Sequence, residues 1–442
     1  MKFLVTTLGC KVNQFESDAI AQALQTHGWH AVQAGEHADV CIVNTCTVTG
    51  KASMQSRQVI RQLMRRHEGA RIIVTGCYAQ TAPEEIEKIG GVHYVIGHFD
   101  KSDIPRLIVE SLPNDRAPAV RMVKNIQQAA RFSMPPAAAY GRRTRPYLKI
   151  QDGCNCFCTY CIVPHARGPS RSMPFEAVLE QLKHLGRKNF REVVLTGIHL
   201  GAYGADLTPP TRLIDLLYRI ETLRPLDRLR LSSIEPDEVS PELVAFLADS
   251  AVFCPHFHLP LQSGDDRILE RMHRPYDGRY FMRTVRSIHD RMPHAAIGAD
   301  VLVGFPGEDQ ASFDRTYDLI ADLPLTYLHV FPFSARPGTP ACHFPDRVSD
   351  PTVKARTARL RVLGQQKGQA FMQANIDRTH DILVENRRDG RTGLLTGVSA
   401  NYLTILFEGD DRLMNHIVPV RASTVHSDKR LMGHIIEHVN IK

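Results

Sequence analysis

Cys154, Cys158 and Cys161 fall within eight residues, far too close for an ordinary disulfide framework. Three thiolates are what an iron–sulfur cluster needs if one iron is to stay free of protein. A short apolar run, Tyr147 to Ile150, leads directly into them. The competing reading is a zinc knuckle built from Cys158, Cys161 and His165, because short Cys-x2-Cys pairs also hold zinc. Cys156 is an extra thiol inside the same loop.

A second trio, Cys10, Cys46 and Cys77, is scattered in sequence but shares one structural address. KFLVTTLGC, VCIVNTC and RIIVTGC are runs rich in Val, Ile and Leu that each end in a cysteine. Each precedes a predicted helix: Asn13 to His27, Ala52 to His67 and Pro83 to Ile89. Strands alternating with helices imply parallel βαβ units, and ligands of such sheets bind beyond the carboxyl ends of the strands. Three thiolates at three such ends can converge on one point, the geometry of a second cluster with three protein ligands. Small buried core residues are the bland alternative. Cys41, Cys254 and Cys342 occupy no such address and read as core or incidental residues.

The elements that must hold these residues divide the chain. At 442 residues it is too long for one core, so two or three domains are expected. From Arg121 to Lys149 there are seven basic residues and no acidic ones, with MPPAAA in the middle. That composition marks a linker over 114–139 after a first unit over 1–113. Over 140–373 apolar strands recur near Tyr147–Ile150, Val193–Thr196, Leu229–Ser232, His256–Leu261, Ile297–Val303 and Tyr327–Phe333, with amphipathic helices between. Six such units are too few for a closed eight-stranded barrel and suit an open (βα)6 partial TIM barrel, with function at the carboxyl ends of its strands. Those ends read LTGIHLGAYG, LSSIEP, LPLQSGDD, VGFPGE and PFSARPGTP. The tail, 374–442, carries five short strand-like runs separated by turn residues, as in a small β-barrel. The expected fold is therefore α/β: a parallel N-terminal domain, a partial barrel and a small C-terminal β-barrel.

A hydrophobic content of 43% with 23% charged residues describes an ordinary globular protein. No stretch is apolar enough for a membrane span and the first residues read as a strand, so no membrane role and a cytoplasmic location are expected. Ten cysteines in such a chain point to metal rather than disulfides. The net charge of +7 hints at an anionic partner. Lys354, Arg356, Arg359, Arg361 and Lys367 form a run without acids on a predicted helix. It reads either as a solvated face or as a phosphate-neutralising one.

LGCKVNQFESD, VNTCTVT, TGCYAQ and the 147–171 block together resemble the methylthiotransferases, a family of radical S-adenosylmethionine enzymes. LGCKVNQ and QDGCN-x-FCTYCIVP are most similar to the branch that acts on N6-threonylcarbamoyladenosine at tRNA position 37. The resemblance spans nearly the whole chain. It implies that Cys154, Cys158 and Cys161 hold a 4Fe–4S cluster that binds S-adenosylmethionine, and that Cys10, Cys46 and Cys77 hold a second one. It implies that Gly197, Ser233, Glu235 and Gln262 grip S-adenosylmethionine, that Arg336 faces substrate or cofactor, and that the tail is a TRAM-like RNA-binding domain. tRNA, an electron donor and a sulfur donor are the implied partners. Relatives that modify isopentenyladenosine in tRNA or an aspartate of a ribosomal protein are the alternatives, and a non-catalytic iron–sulfur RNA-binding protein is the reading from another class.

Overall fold

The computed structural model describes residues 1–33, 35–110, 119–133, 143–426 and 429–436. Its first unit is a parallel sheet of β1 (Lys2–Thr7), β2 (His30–Ala31), β3 (Val40–Thr45), β4 (Arg71–Gly76), β5 (Tyr94–Ile96) and β6 (Val120–Met122), in the order β2-β1-β3-β4-β5-β6. Helices cover both faces, which is why β3 is buried at every position and can be apolar without alternation. The helices α1 (Lys11–Thr26), α2 (Gly50–Arg66) and α3 (Cys77–Thr81) follow β1, β3 and β4. The strand order reverses between β1 and β3, and that reversal opens the crevice in which such sheets bind ligands. Cys10 and Cys46 leave from its two walls, and Cys77 from the next strand.

The second unit holds six parallel strands in two ladders. One contains β7 (Tyr147–Lys149), β10 (Glu192–Thr196) and β11 (Arg228–Leu231), with the short antiparallel pair β8 (Gln151–Asp152) and β9 (Arg171–Ser172) beside it. The other contains β12 (His256–Gln262), β13 (Ala296–Val303) and β14 (Tyr327–Pro332). At the seam Ile234 N–H donates to His258 O at 3.1 Å. The period-two alternation sorts each strand. Leu148, Leu195, Leu229, Phe257, Leu259, Ile297, Ala299 and Val330 turn outward into one large core shared with the surrounding helices. Lys149, Arg230, His258, Asp300 and His329 alternate with these residues and so line the barrel's inner face. Phe15 of α1 joins the same outer core, so the first unit packs along the barrel edge at β7.

The tail is a closed barrel of β15 (Thr379–Val384), β16 (Leu395–Ser399), β17 (Thr404–Phe407), β18 (Ile417–Val425) and β19 (Leu431–Ile435), in the order β15-β16-β17-β19-β18. It docks on the amino-terminal ends of the second unit's strands. Arg230 donates to Ala400 O and Ser399 O, Arg228 to Asp381 O, and Asn401 to His294 O.

Two sequence expectations shift. Within 119–133, read as linker, β6 pairs with β5 and Arg121 is clamped by Glu84 and Glu87. A strand that short leaves too little pattern to see. MPPAAA and the last residues of the final expected strand lie outside the described residues. The basic run on Asp350–Gln373 divides, with Lys354, Arg359 and Arg361 exposed and the other two turned inward. Arg356 is buried on Glu308 at 2.7 Å, Lys367 donates to Ala321 O and Leu323 O, and Arg359 lies over Phe313 and Tyr317.

Candidate functional site

The Cys154–Cys161 loop springs from β8 at the carboxyl end of the barrel. Gly153 begins it at φ +80°, and a Cβ there would come within 1.9 Å of Pro169 O, so no other residue could start this turn. Cys158 is buried, while Cys154, Cys156 and Cys161 are half-buried. All ten cysteines are free. Arg274 Nη1 donates to Cys158 Sγ at 3.2 Å. Burial pushes the Cys161 thiol up to about 12, against the Val163 backbone bond and the charge of Arg274, and a bound cation would favour the thiolate further. The donor set therefore suits a metal cluster better than disulfide exchange. Cys156 turns toward His199, with Sγ 3.4 Å from Nδ1, and His199 Nε2 lies 2.7 Å from Glu238 Oε1. Burial disfavours charge on this imidazole, but its bonds to Cys156 and Glu238 outweigh burial and raise it to about 10.

The residues expected to grip a cofactor are spread around this loop. Gly197 follows β10; a Cβ there would meet Gln151 Oε1 at 2.9 Å, the atom that accepts from Ile198 N and His199 N. Glu235 pairs with Arg274, the same arginine that reaches Cys158. Burial raises its carboxyl pKa even against that arginine. Ser233 is exposed just beyond β11, and Gln262 ends β12 at φ +64°, paired with Val301 after a bulge that skips Leu261. Arg336 reaches back to the first unit, donating to Thr47 Oγ1 at 2.8 Å and Ser53 Oγ at 3.1 Å beside Cys46. Arg274, His199 and Glu238 escaped the sequence reading. His199 and Glu238 could have been flagged by their place just beyond strand ends; Arg274 follows a helix and carries no such signal.

The scattered trio sits at the ends of the neighbouring strands β1, β3 and β4. Gly9 runs at φ +102° so close to Cys46 that a Cβ would lie 2.9 Å from the Cys46 Cβ, and Gly76 at φ +97° abuts Thr45 O. Asn13 Nδ2 donates to Leu8 O and Thr45 O, tying the ends of β1 and β3 together. Burial pushes Cys77 up to about 12 and also raises Cys46; each feels the charge of Cys10.

Behind the trio lies a buried ion cluster that joins the two units. Arg167, 1% exposed, donates to Glu16 Oε1 at 3.0 Å, Asp152 Oδ1 at 2.8 Å and Asn13 Oδ1 at 2.5 Å. Lys101 and Lys149 also pair with Glu16. Burial alone would raise the Glu16 carboxyl, but these three cations hold it well below the carboxylate range. Arg167, Lys101 and Lys149 against Glu16 and Asp152 leave an excess of positive charge. Arg167 lowers the pKa of both Cys46 and Cys77, as a group beside thiolates should.

Inside the barrel a polar wall continues downward. His258 Nε2 lies 2.8 Å and His329 Nδ1 3.2 Å from Asp300 Oδ1; the Tyr327 hydroxyl lies 3.0 Å from His258 and 2.8 Å from His256. Tyr402 of the small barrel packs on His256 from below.

Comparison with known proteins agrees with this layout. Residues 2–97 match the Uncharacterized protein family UPF0004 and residues 148–320 the Radical SAM superfamily. The chain is 37% identical over 418 residues to the threonylcarbamoyladenosine tRNA methylthiotransferase MtaB of Bacillus subtilis (strain 168), covering 94% of this chain and 92% of that protein. It is 32% identical over 425 residues to the tRNA-2-methylthio-N(6)-dimethylallyladenosine synthase of Pelotomaculum thermopropionicum, covering 95% of this chain and 94% of that one. In fold it is similar to the radical S-adenosylmethionine methyltransferase TsrM from Kitasatospora setae, solved with cobalamin and a [4Fe-4S] cluster bound. The TM-score is 0.55 at 18% identity, over 77% of this chain and 76% of that one. Radical SAM membership brings a 4Fe–4S cluster and S-adenosylmethionine to the barrel. With relatives this similar over almost their full length, the chain belongs to the radical SAM methylthiotransferase family.

Proposed function

We propose that this protein inserts a methylthio group at C2 of N6-threonylcarbamoyladenosine at tRNA position 37, consuming two molecules of S-adenosylmethionine. The observation that carries the reading is 37% identity over nearly the whole length of a threonylcarbamoyladenosine tRNA methylthiotransferase, in a chain that also contains both cysteine trios. C2 of adenine bears no acidic hydrogen and no leaving group, so general acid–base catalysis offers no route. A 4Fe–4S cluster with S-adenosylmethionine supplies a 5′-deoxyadenosyl radical able to take that hydrogen, and a second cluster supplies a site for the incoming sulfur.

The chain's own residues divide the work. Cys154, Cys158 and Cys161 hold the first cluster, with Arg274 bonded to Cys158. Gly197, Ser233, Glu235 and Gln262 hold S-adenosylmethionine around it. Cys10, Cys46 and Cys77 hold the second cluster, backed by the positive charge of Arg167. Arg336 braces the first unit against the barrel beside the second site. Residues 1–113, extended by β6, form the sulfur-inserting unit, and 140–373 the radical unit. The barrel over 374–442 supports tRNA binding. A sulfur donor, an electron donor and a cytoplasmic location complete the reading; among the described residues no helix is long and apolar enough to cross a membrane.

Mass spectrometry of tRNA nucleosides from a deletion strain tests it. The methylthio form of threonylcarbamoyladenosine should vanish and the unmethylthiolated nucleoside accumulate. Loss of the methylthio form of isopentenyladenosine instead would move the assignment to the other tRNA branch.

A further inference from the structure

Cys158 is the buried thiol of its trio, and Arg274 Nη1 donates to its Sγ at 3.2 Å. That guanidinium is held on several sides. Nε and Nη2 donate to the Tyr276 hydroxyl at 3.0 and 2.8 Å, and Nη2 also pairs with Glu235. The Tyr276 hydroxyl is fixed in turn on Pro260 O. The guanidinium carbon lies 4.9 Å from the centre of the Tyr276 ring, and the side chain is 3% exposed. The turn that carries Arg274 is tied to the cysteine loop. Thr159, next to Cys158, donates through Oγ1 to Arg271 O at 2.8 Å and through N to Met272 O at 3.1 Å. His273 then turns the chain at φ +62°, and Arg274 N closes on Leu269 O at 2.9 Å. A donor so fixed loses little further freedom in meeting a thiolate. Burial raises the Cys158 thiol, and the charge and bond of Arg274 are the foremost effects that lower it.

Resting on the cluster assignment proposed above, we infer that Arg274 raises the reduction potential of the barrel cluster through its N–H bond to Cys158. It is a positioning residue for the electron, since it touches a ligand and not the reacting atoms. One-electron reduction makes the cluster and its thiolates more negative. An N–H donor on a buried sulfur favours that more negative state, which makes the electron easier to accept. The electron itself comes from the low-potential donor that the reaction already requires, and Arg274 gives up no atom or proton. Glu235 balances the guanidinium charge from the other side, so the directed N–H bond is the effect to isolate.

The test is an anaerobic redox titration of the reconstituted full-length protein, followed by the electron paramagnetic resonance signal of the reduced cluster. Cys10→Ala, Cys46→Ala and Cys77→Ala are combined in every sample, so that only the barrel cluster titrates. Arg274→Met should lower the midpoint, because it removes the donor and leaves Glu235 without its partner. Arg274→Met combined with Glu235→Gln keeps the net charge of the parent and removes the donor alone. Its midpoint should still fall by about 59 mV, a tenfold drop in the reduced-to-oxidised ratio at a fixed potential. A double variant that binds about four irons and titrates like the parent would overturn the inference. Unchanged midpoints with weaker S-adenosylmethionine binding in Arg274→Met would also overturn it, making Arg274 a residue that grips the cofactor. Loss of iron from both variants would make Arg274 a support for the loop, which equally refutes a tuning role. A parent that binds zinc, or no metal, would sink the cluster assignment itself.

Discussion

Arg167 and Glu16 are 151 residues apart in the chain and 3.0 Å apart in the fold. One sits in the helix just after the Cys154–Cys161 loop, the other on the helix that Cys10 caps. Their contact sets the position of one cysteine trio against the other. Removing Glu16 alone leaves the buried cations facing only the carboxylate of Asp152, whereas removing Arg167 leaves Glu16 still paired with Lys101 and Lys149.

That asymmetry gives a stability prediction. Glu16→Gln should cost about 3–5 kcal/mol, while the double variant with Arg167→Met should recover part of it. Denaturant midpoints of the two would decide. If the double variant is as unstable as the sum of the singles, the pair is not the source of the loss.

Iron content tests the ligand assignment. Anaerobically reconstituted protein should bind about eight irons, falling to about four when Cys154, Cys158 and Cys161 are replaced by Ala. Stoichiometric zinc in place of iron would contradict both clusters.

The two trios should separate in function. Cys10→Ala, Cys46→Ala and Cys77→Ala should each still cleave S-adenosylmethionine to 5′-deoxyadenosine but yield no methylthio product. Loss of cleavage in all three, with the barrel cluster intact by spectroscopy, would refute the division of roles.

Arg356 replaces the basic helix as a target. It is an ion partner of buried Glu308, so Arg356→Met should cost about 3 kcal/mol of stability. The salt dependence of tRNA binding should stay as in the wild type, since a buried guanidinium neutralises no phosphate. A shallower salt slope would restore the helix as an RNA contact. Deleting the tail is a poor test of RNA binding. Arg228 and Arg230 donate to its backbone, and removing it would strand them.

Acid should destabilise the fold through His256. Burial first, then the charges of Arg230, His258, Lys11 and Arg145, holds it well below the ordinary imidazole value. The unfolded chain therefore binds a proton that the folded one refuses. The stability is present above about pH 6.5 and falls as pH drops through it, by at most about 1.4 kcal/mol per pH unit. Urea midpoints at pH 7 and pH 5 should differ less in His256→Asn than in the wild type.

What the sequence determined by itself was the chemistry and its addresses. Short Val- and Ile-rich runs ending in Cys10, Cys46 and Cys77 declare parallel strand ends. Three cysteines after Tyr147–Ile150 declare a cluster loop. These signals are legible because they depend only on neighbours in the chain. Tertiary structure alone decided which charges are free. Lys354 and Arg356 are basic residues on one helix, yet one is exposed and the other is buried on Glu308. The same holds for β6, which is a strand because β5 lies beside it. Partners tens to hundreds of residues away set the burial and Coulomb energy of each group, and no local pattern encodes them.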